Sequence, residues 1–288
     1  MRNFVDLHTH STASDGRNTP SEVITLADSI GLAAVALTDH DTTAGLPEAV
    51  TAAENFPDLC FVPGIELSAK FCSGTLHILG LGIDSNAPDL SALTDNLIAA
   101  RNERNPKIIA RLQELGMEIE FSDVLAVMSD SPKSIDDRVV GRMHIAEALR
   151  RKGYIHSTAE GFKRYLGDRG SAFVDKERLT PAQVIAPIHS AGGVAILAHP
   201  VHMSYANSAQ LANLVHRLTD AGLDGLEVVH PDHSPFQTRT YLQLARRLGL
   251  LTVGGSDYHG QAKPHVRMGH PRVPLGLIND KLKQRLFG

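Results

Sequence analysis

Two histidines one residue apart, His8 and His10 in VDLHTHS, stand at the end of an apolar run. On a strand the side chains alternate between faces, so both project the same way, close enough to ligate one ion. Ionisable residues recur at matching places along the chain. His40 in LTDHD, Glu66 in PGIELS, His199 in ILAHP, and Asp257 with His259 in GGSDYH each follow the C-terminal end of an apolar run. A lone histidine beside a strand is ordinary, but packing has no reason to place ionisable groups at the same end of successive buried strands, where unpaired charge is costly. Together they read as one metal site, and imidazole with carboxylate donors suits divalent ions that assist hydrolysis. His77 in TLHILGLGI opens its run instead of closing it, so position alone does not place it with the others.

The elements that must hold these residues are legible. SEVITLADSIG runs into LAAVALTDH, PAQVIAPIHSAGG into VAILAHP, LVHRLTDAG into LDGLEVVH, and YLQLARRLG into LLTVGGSDYH. Helix, glycine stop, buried strand is the grammar of βα repeats around a parallel sheet, and in α/β barrels sites are built from several C-terminal strand ends. Two helix starts are well marked. Thr19-Pro20-Ser21-Glu22 and Thr180-Pro181-Ala182-Gln183 each place Thr at the N-cap, Pro first in the helix, and Glu or Gln three residues on. From about Arg101 to Asp175 the pattern becomes charged and helical, as in RNERNPKIIARLQELG and GRMHIAEALRRKG. The expected organisation is an α/β barrel over 1–100 and 176–288 with a helical insertion, a cap subdomain, over 101–175.

Composition narrows the function classes. With 288 residues and 42% hydrophobic content the chain can bury a sizeable core. It shows no apolar stretch of membrane-span length and no leader at its N-terminus, so a cytoplasmic, non-membrane protein is expected. Cys60 and Cys72 are too few for a disulfide framework. A net charge of −4 argues against duplex DNA as a partner. The charge is uneven, however: residues 101–178 carry 15 Lys+Arg against 13 Asp+Glu, leaving 13 against 19 elsewhere. A mildly basic segment on an acidic body suits a small anionic substrate. No obligate protein partner is evident.

HTHS with Asp15 close behind, TDHD, the Glu of GIELS, the His of HILG, AHP and SDYH follow one another in an order that resembles the polymerase-and-histidinol-phosphatase (PHP) family of amidohydrolase-like hydrolases. The resemblance covers nearly the whole chain. It implies a distorted seven-stranded β/α barrel, TIM-like in outline, holding two or three divalent ions. Carried over residue by residue, it gives one ion to His8, His10, Glu66 and Asp257, a second to Glu66, His77 and His199 with Glu66 as bridge, and a third to Asp15, His40 and His259. Some relatives carry His where this chain has Asp15. A carboxylate there favours a hard ion, so manganese is expected first, with magnesium, zinc or iron as alternatives.

The helical insert with GRMHIA looks closest to the stand-alone phosphoesterases of that family, the 3',5'-nucleotide bisphosphate phosphatases and the 5'-to-3' exoribonucleases. The reaction this implies is release of phosphate from a small nucleotide such as phosphoadenosine phosphate, with trimming of short oligoribonucleotides as the alternative and a non-catalytic PHP module as a third reading. Arg142 and His144 become candidate phosphate contacts, and His233, past another strand end, a further one. Asp257 and His230 are the candidates for proton handling, His230 for protonating the leaving oxygen. His156, His189, His202, His216, His265 and His270 fit no ligand pattern and are expected at the surface.

Overall fold

The apolar runs form the strands of an α/β unit. The computed structural model describes residues 2–70, 76–129, 139–175, 179–203, 205–278 and 280–287; Cys72 lies outside them. Among these residues, β1 (Phe4–Thr9), β2 (Ala34–Leu37), β3 (Cys60–Ala69), β4 (Leu76–Leu81), β5 (Val194–Leu197), β6 (Gly225–Val229), β7 (Leu251–Gly254) and β8 (Val273–Pro274) make one sheet in the order β7-β6-β5-β4-β3-β2-β1-β8.

The sheet all but closes because β1 shares its outer edge. Phe4 and Val5 pair with β8. Farther along β1, the segment after β7 takes over: Asp257 N donates to the His8 carbonyl at 2.9 Å, and His10 N to the Tyr258 carbonyl at 2.9 Å. Gly255 permits this approach, since a Cβ there would fall 2.4 Å from the His8 Cβ. Seven strands thus circle the barrel, and β8 is a two-residue patch beside the first.

One strand departs from the all-parallel expectation. β4 runs antiparallel to both β3 and β5, pairing Ser68 with His77 and Ile78 with Leu197. Only six residues separate β3 from β4, too few for the crossover a parallel pair needs but enough to join an antiparallel one. The start of β4 therefore lies at the same end of the sheet as the C-termini of β3 and β5.

Helices α1 (Pro20–Ser29), α2 (Leu46–Ala53), α7 (Pro181–Ser190), α8 (Ser208–Asp220) and α9 (Pro235–Leu248) precede or follow the strands. The capping boxes at Thr19 and Thr180 form, and Ser234 makes a third. Gly249 ends α9 at φ 67, a left-handed turn that frees the chain to enter β7. Alternation on β1 sends Val5 and Leu7 into an apolar cluster with Ala36, Val62, Leu79, Ile196 and Val253, all fully buried. Asp6, His8 and His10 take the other face of the strand. Each such buried aliphatic side chain contributes about 1.5–3 kcal/mol, so the apolar face anchors the ligand-bearing face.

Contacts divide the chain into Met1–Thr94 with Arg178–Gly288, and Asp95–Glu177. The division falls a few residues from the 100/101 and 175/176 boundaries read from sequence. It begins inside α3 (Pro88–Glu114), because that helix runs uninterrupted through the position where the composition changes. The second unit continues with α4 (Phe121–Ser129), α5 (Arg142–Arg151) and α6 (Thr158–Gly161), and has its own core of Ile108, Leu112, Ile119, Val124, Ile145 and Leu149. No helix among the described residues is long and apolar enough to cross a membrane.

Candidate metal centre

Glu66, near the end of β3 and fully buried, is the hub. Its Oε1 lies 2.7 Å from His77 Nδ1 and 2.8 Å from His199 Nε2. Its Oε2 lies 3.0 Å from His40 Nδ1, 3.3 Å from His10 Nε2 and 3.4 Å from His8 Nε2. Asp257 presents Oδ1 to His10 Nε2 at 3.3 Å and to His8 Nε2 at 3.6 Å. Asp15 faces His259 Nε2 at 3.2 Å and His40 Nε2 at 3.8 Å. Donor atoms converge in three sets: His8 with His10 and Glu66; His40 with Glu66 and His77; and His10 with Asp15, His40 and His259. His40 thus belongs to the second and third sets, His10 to the first and third, and Glu66 to the first and second. His77 takes part because antiparallel β4 brings its first residues to the strand-end face.

The donor chemistry fits cations. His8 Nε2, His10 Nε2, His40 Nδ1 and Glu66 Oε2 are buried and make no hydrogen bond, although they approach one another within 3.0–3.4 Å, off the hydrogen-bonding direction. Orphaned polar atoms of this kind are rare in a protein interior. His259 is the sharpest case. Its Nδ1–H donates to the Asp257 carbonyl at 2.7 Å, which turns the Nε2 lone pair toward an Asp15 oxygen only 3.2 Å away. Two acceptors face each other there, and a cation between them resolves the contact.

Electrostatics agree. Burial pushes His199 down to about 3 and His259 down to about 4, which keeps both in the neutral form that ligates. Burial also opposes charge on His10, but Asp257 and Glu66 beside it prevail and raise it to about 9, so a proton occupies the place a cation would take. The backbone is strained at the same face: among the described residues, Asp41, His199 and Asp257 are the non-glycine ones with positive φ, at 55°, 25° and 54°. Such conformations cost about 1–3 kcal/mol each and cluster where function fixes the chain.

Behind the donors stands a layer of buried carboxylates that pattern reading passed over. Glu227 on β6 accepts from His8 Nδ1 at 3.0 Å and from His199 N at 2.7 Å, so it orients one candidate ligand directly and another through its backbone. Asp6 accepts from Ser256 N and Oγ and from Gly269 N, pinning the segment that carries Asp257. Asp39 accepts from Ser11 N, Ser11 Oγ and Ser14 Oγ in the loop leading to Asp15. Lys263 holds Asp257 Oδ2 at 2.6 Å. The only sequence signal for Glu227 was a carboxylate inside an otherwise apolar strand. Glu227→Gln should weaken metal binding roughly 10–100-fold, as loss of a ligand's orienting partner typically does. The check is metal titration of the purified variant, and unchanged affinity would remove Glu227 from that role.

The remaining expected residues fall in two places. His230 and His233 follow β6. The Asp232 N–H donates to His230 Nδ1 at 3.1 Å, so Nε2 carries the proton, 3.5 Å from Asp257 Oδ2. His202, expected at the surface, is over a third exposed but pairs with Asp232 at 2.8 Å and packs its ring 4.5 Å from that of His199. No ligand spacing marks it; the bend after His199 brings it back. Arg142 and His144 lie on α5 in the second unit. There the Arg142 guanidinium donates to the Leu166 carbonyl at 2.9 Å, faces Asp168 at 3.9 Å and rests over Phe162, while His144 Nδ1 accepts from Gly141 N at 3.0 Å.

Comparison with known proteins agrees with this geometry. The PHP domain model matches residues 6–112. A 5'-3' exoribonuclease of Haemophilus influenzae is 34% identical over 90% of this chain and 91% of its own. A 3',5'-nucleoside bisphosphate phosphatase of Chromobacterium violaceum is 33% identical over 92% and 90%, and a phosphoribosyl 1,2-cyclic phosphate 1,2-diphosphodiesterase of Eggerthella lenta 34% over 93% and 98%. The solved structure of a protein described as a metal-dependent phosphoesterase from Bifidobacterium adolescentis superimposes with a TM-score of 0.86 at 32% identity, covering 98% of this chain and 96% of that one. These matches run over both units, and the fold is the one the resemblance implied: the chain belongs to the PHP family and is a metal-dependent phosphoesterase.

Proposed function

We propose that this enzyme removes the 3'-phosphate of a small nucleoside 3',5'-bisphosphate, converting phosphoadenosine phosphate to AMP and phosphate, with two or three divalent ions, manganese foremost, in the cytoplasm. The observation that carries the reading is the Glu66 carboxylate, whose two oxygens serve different histidine sets, an arrangement that suits a bridging ligand between adjacent ions. His8, His10, Glu66 and Asp257 would hold one ion, Glu66 with His77, His199 and His40 another, and Asp15, His40, His10 and His259 the third. Ions so placed activate water and neutralise the oxygens of a phosphate ester.

The protein's own groups do the rest. His230, its Nδ1 occupied by the Asp232 N–H, offers an Nε2 proton to the departing sugar oxygen. Asp257, whose Oδ2 is held by Lys263, receives or relays protons beside it. Arg142 and His144 on α5 belong to the proposal as phosphate contacts, supported by the excess of basic residues in that segment. Short RNA is a second reading, favoured by the relative from Haemophilus influenzae. Phosphate release from phosphoadenosine phosphate, measured against mononucleotide release from a short 5'-phosphorylated RNA, separates the two. The expected result is a kcat/KM higher for the bisphosphate by about tenfold or more, equivalent to ~1.4 kcal/mol of transition-state binding. The reverse order would transfer the assignment to the exoribonuclease.

A further inference from the structure

Beside the donor cluster opens a cavity of about 730 Å³ lined by His230, His233, Arg239, Arg267, His265 and His270, all from the barrel unit. Its formal charge is one-sided: two arginines line it, and no carboxylate does. Arg239, on α9, and Arg267 are exposed and have no side-chain ion pair or hydrogen bond among the described residues. The two innermost lining side chains are also incomplete. His230 and His233 are nine-tenths or more buried, and the Nε2 of each makes no hydrogen bond. His233 Nδ1 donates to the Val228 carbonyl at 3.3 Å, so its Nε2 is an acceptor. His230 joins the cavity to the reaction centre, since its Nε2 lies 3.5 Å from Asp257 Oδ2.

Unpaired guanidinium groups at a cavity rim, with an imidazole acceptor at its base, match a phosphorylated sugar: Arg forks grip phosphate oxygens, and a bare ring nitrogen accepts from a hydroxyl. We propose that this cavity is the subsite for a substrate phosphate that is not hydrolysed, the 5'-phosphate of a nucleoside 3',5'-bisphosphate, with Arg239 and Arg267 on the phosphate and His233 on a sugar hydroxyl. It deepens the function proposed above and rests on it for the identity of the substrate. The subsite explains how the enzyme distinguishes a nucleotide carrying two phosphates from a simple monoester, because only the former has a second phosphate to offer the arginines.

The test compares the metal-loaded wild type with Arg239→Gln/Arg267→Gln and with Arg246→Gln, which removes a charge from the same helix outside the cavity. KM for adenosine 3',5'-bisphosphate should rise tenfold or more in the double variant, and at least five times as much as KM for p-nitrophenyl phosphate, with kcat falling less than threefold. Arg246→Gln should leave the bisphosphate KM within twofold. Parallel rises for both substrates, an unchanged bisphosphate KM, or an equal rise in Arg246→Gln would overturn the subsite. If the wild type does not hydrolyse the bisphosphate, the substrate assignment fails by itself. Calorimetry of adenosine 5'-monophosphate on the metal-loaded proteins then decides the subsite: tenfold weaker binding to the double variant supports it, and equal binding overturns it.

Discussion

Glu66→Ala should reduce turnover by roughly 10³-fold or more and lower the metal content, while the barrel stays folded. A metal centre supplies several kcal/mol of transition-state stabilisation, and each 1.36 kcal/mol is a factor of ten in rate, so loss of the shared ligand removes on the order of three decades. The fold depends on this residue far less. Its backbone keeps the pairing of Glu66 with Leu79 across to β4, and its N–H still donates to the Asp39 carbonyl at 3.1 Å. The apolar cluster formed by Val5, Leu7, Val62, Leu79 and Ile196 does not include Glu66. Elemental analysis, far-UV circular dichroism and steady-state kinetics on the same preparation are the measurements. A variant with a tenth or more of wild-type turnover and full metal content would show that Glu66 is not the bridge.

Chelation should abolish activity and also destabilise the protein. A ligand present at about 1,000 times its Kd stabilises the native state by ~4 kcal/mol, and the metal-free centre buries Glu66, Asp257 and Asp15, which the surrounding histidines, with Lys263 beside Asp257, hold well below the usual carboxylate range against the cost of burial. Activity should return best with manganese. Reloading should release protons, because Asp257 and Glu66 raise His10 to about 9 against the effect of its burial and a cation must displace that proton. The sign follows: apparent metal affinity falls with acid and rises with pH until about pH 9, where His10 has lost its proton. Thermal melts with and without chelator, and metal titration in weakly buffered solution, are the checks. Activity and melting temperature that ignore the chelator would contradict a metal centre.

Much of this was legible in the chain. The spacing of His8 and His10 on β1 is a period-two signal, local and independent of the rest of the fold. Thr19, Thr180 and the glycine after α9 announce helix ends through hydrogen bonds within a few residues, and all three form as read. The recurrence of His40, Glu66, His199, Asp257 and His259 after apolar runs indicated one face of one sheet, because parallel strands put their C-termini together.

Strand direction was not legible in that way. β4 carries the same apolar composition as its neighbours, and only pairing across the sheet turns it round and brings His77 to Glu66. Which donors share an ion is likewise a matter of distances between residues remote in sequence, and it makes His40 and His10 common to two sets each. Glu227 is a lone carboxylate within an apolar strand, and only the fold brings it to His8, 219 positions away. His202, His265, His270, Arg239 and Arg267 have no motif at all; a bend after β5, one face of α9 and the loop after β7 decide what they surround. The amino-acid order determined the elements and the ends at which chemistry sits, since those depend on near neighbours, whereas tertiary packing decided how the donors are shared and where an anion can lie, since those depend on contacts the chain makes only when the barrel closes.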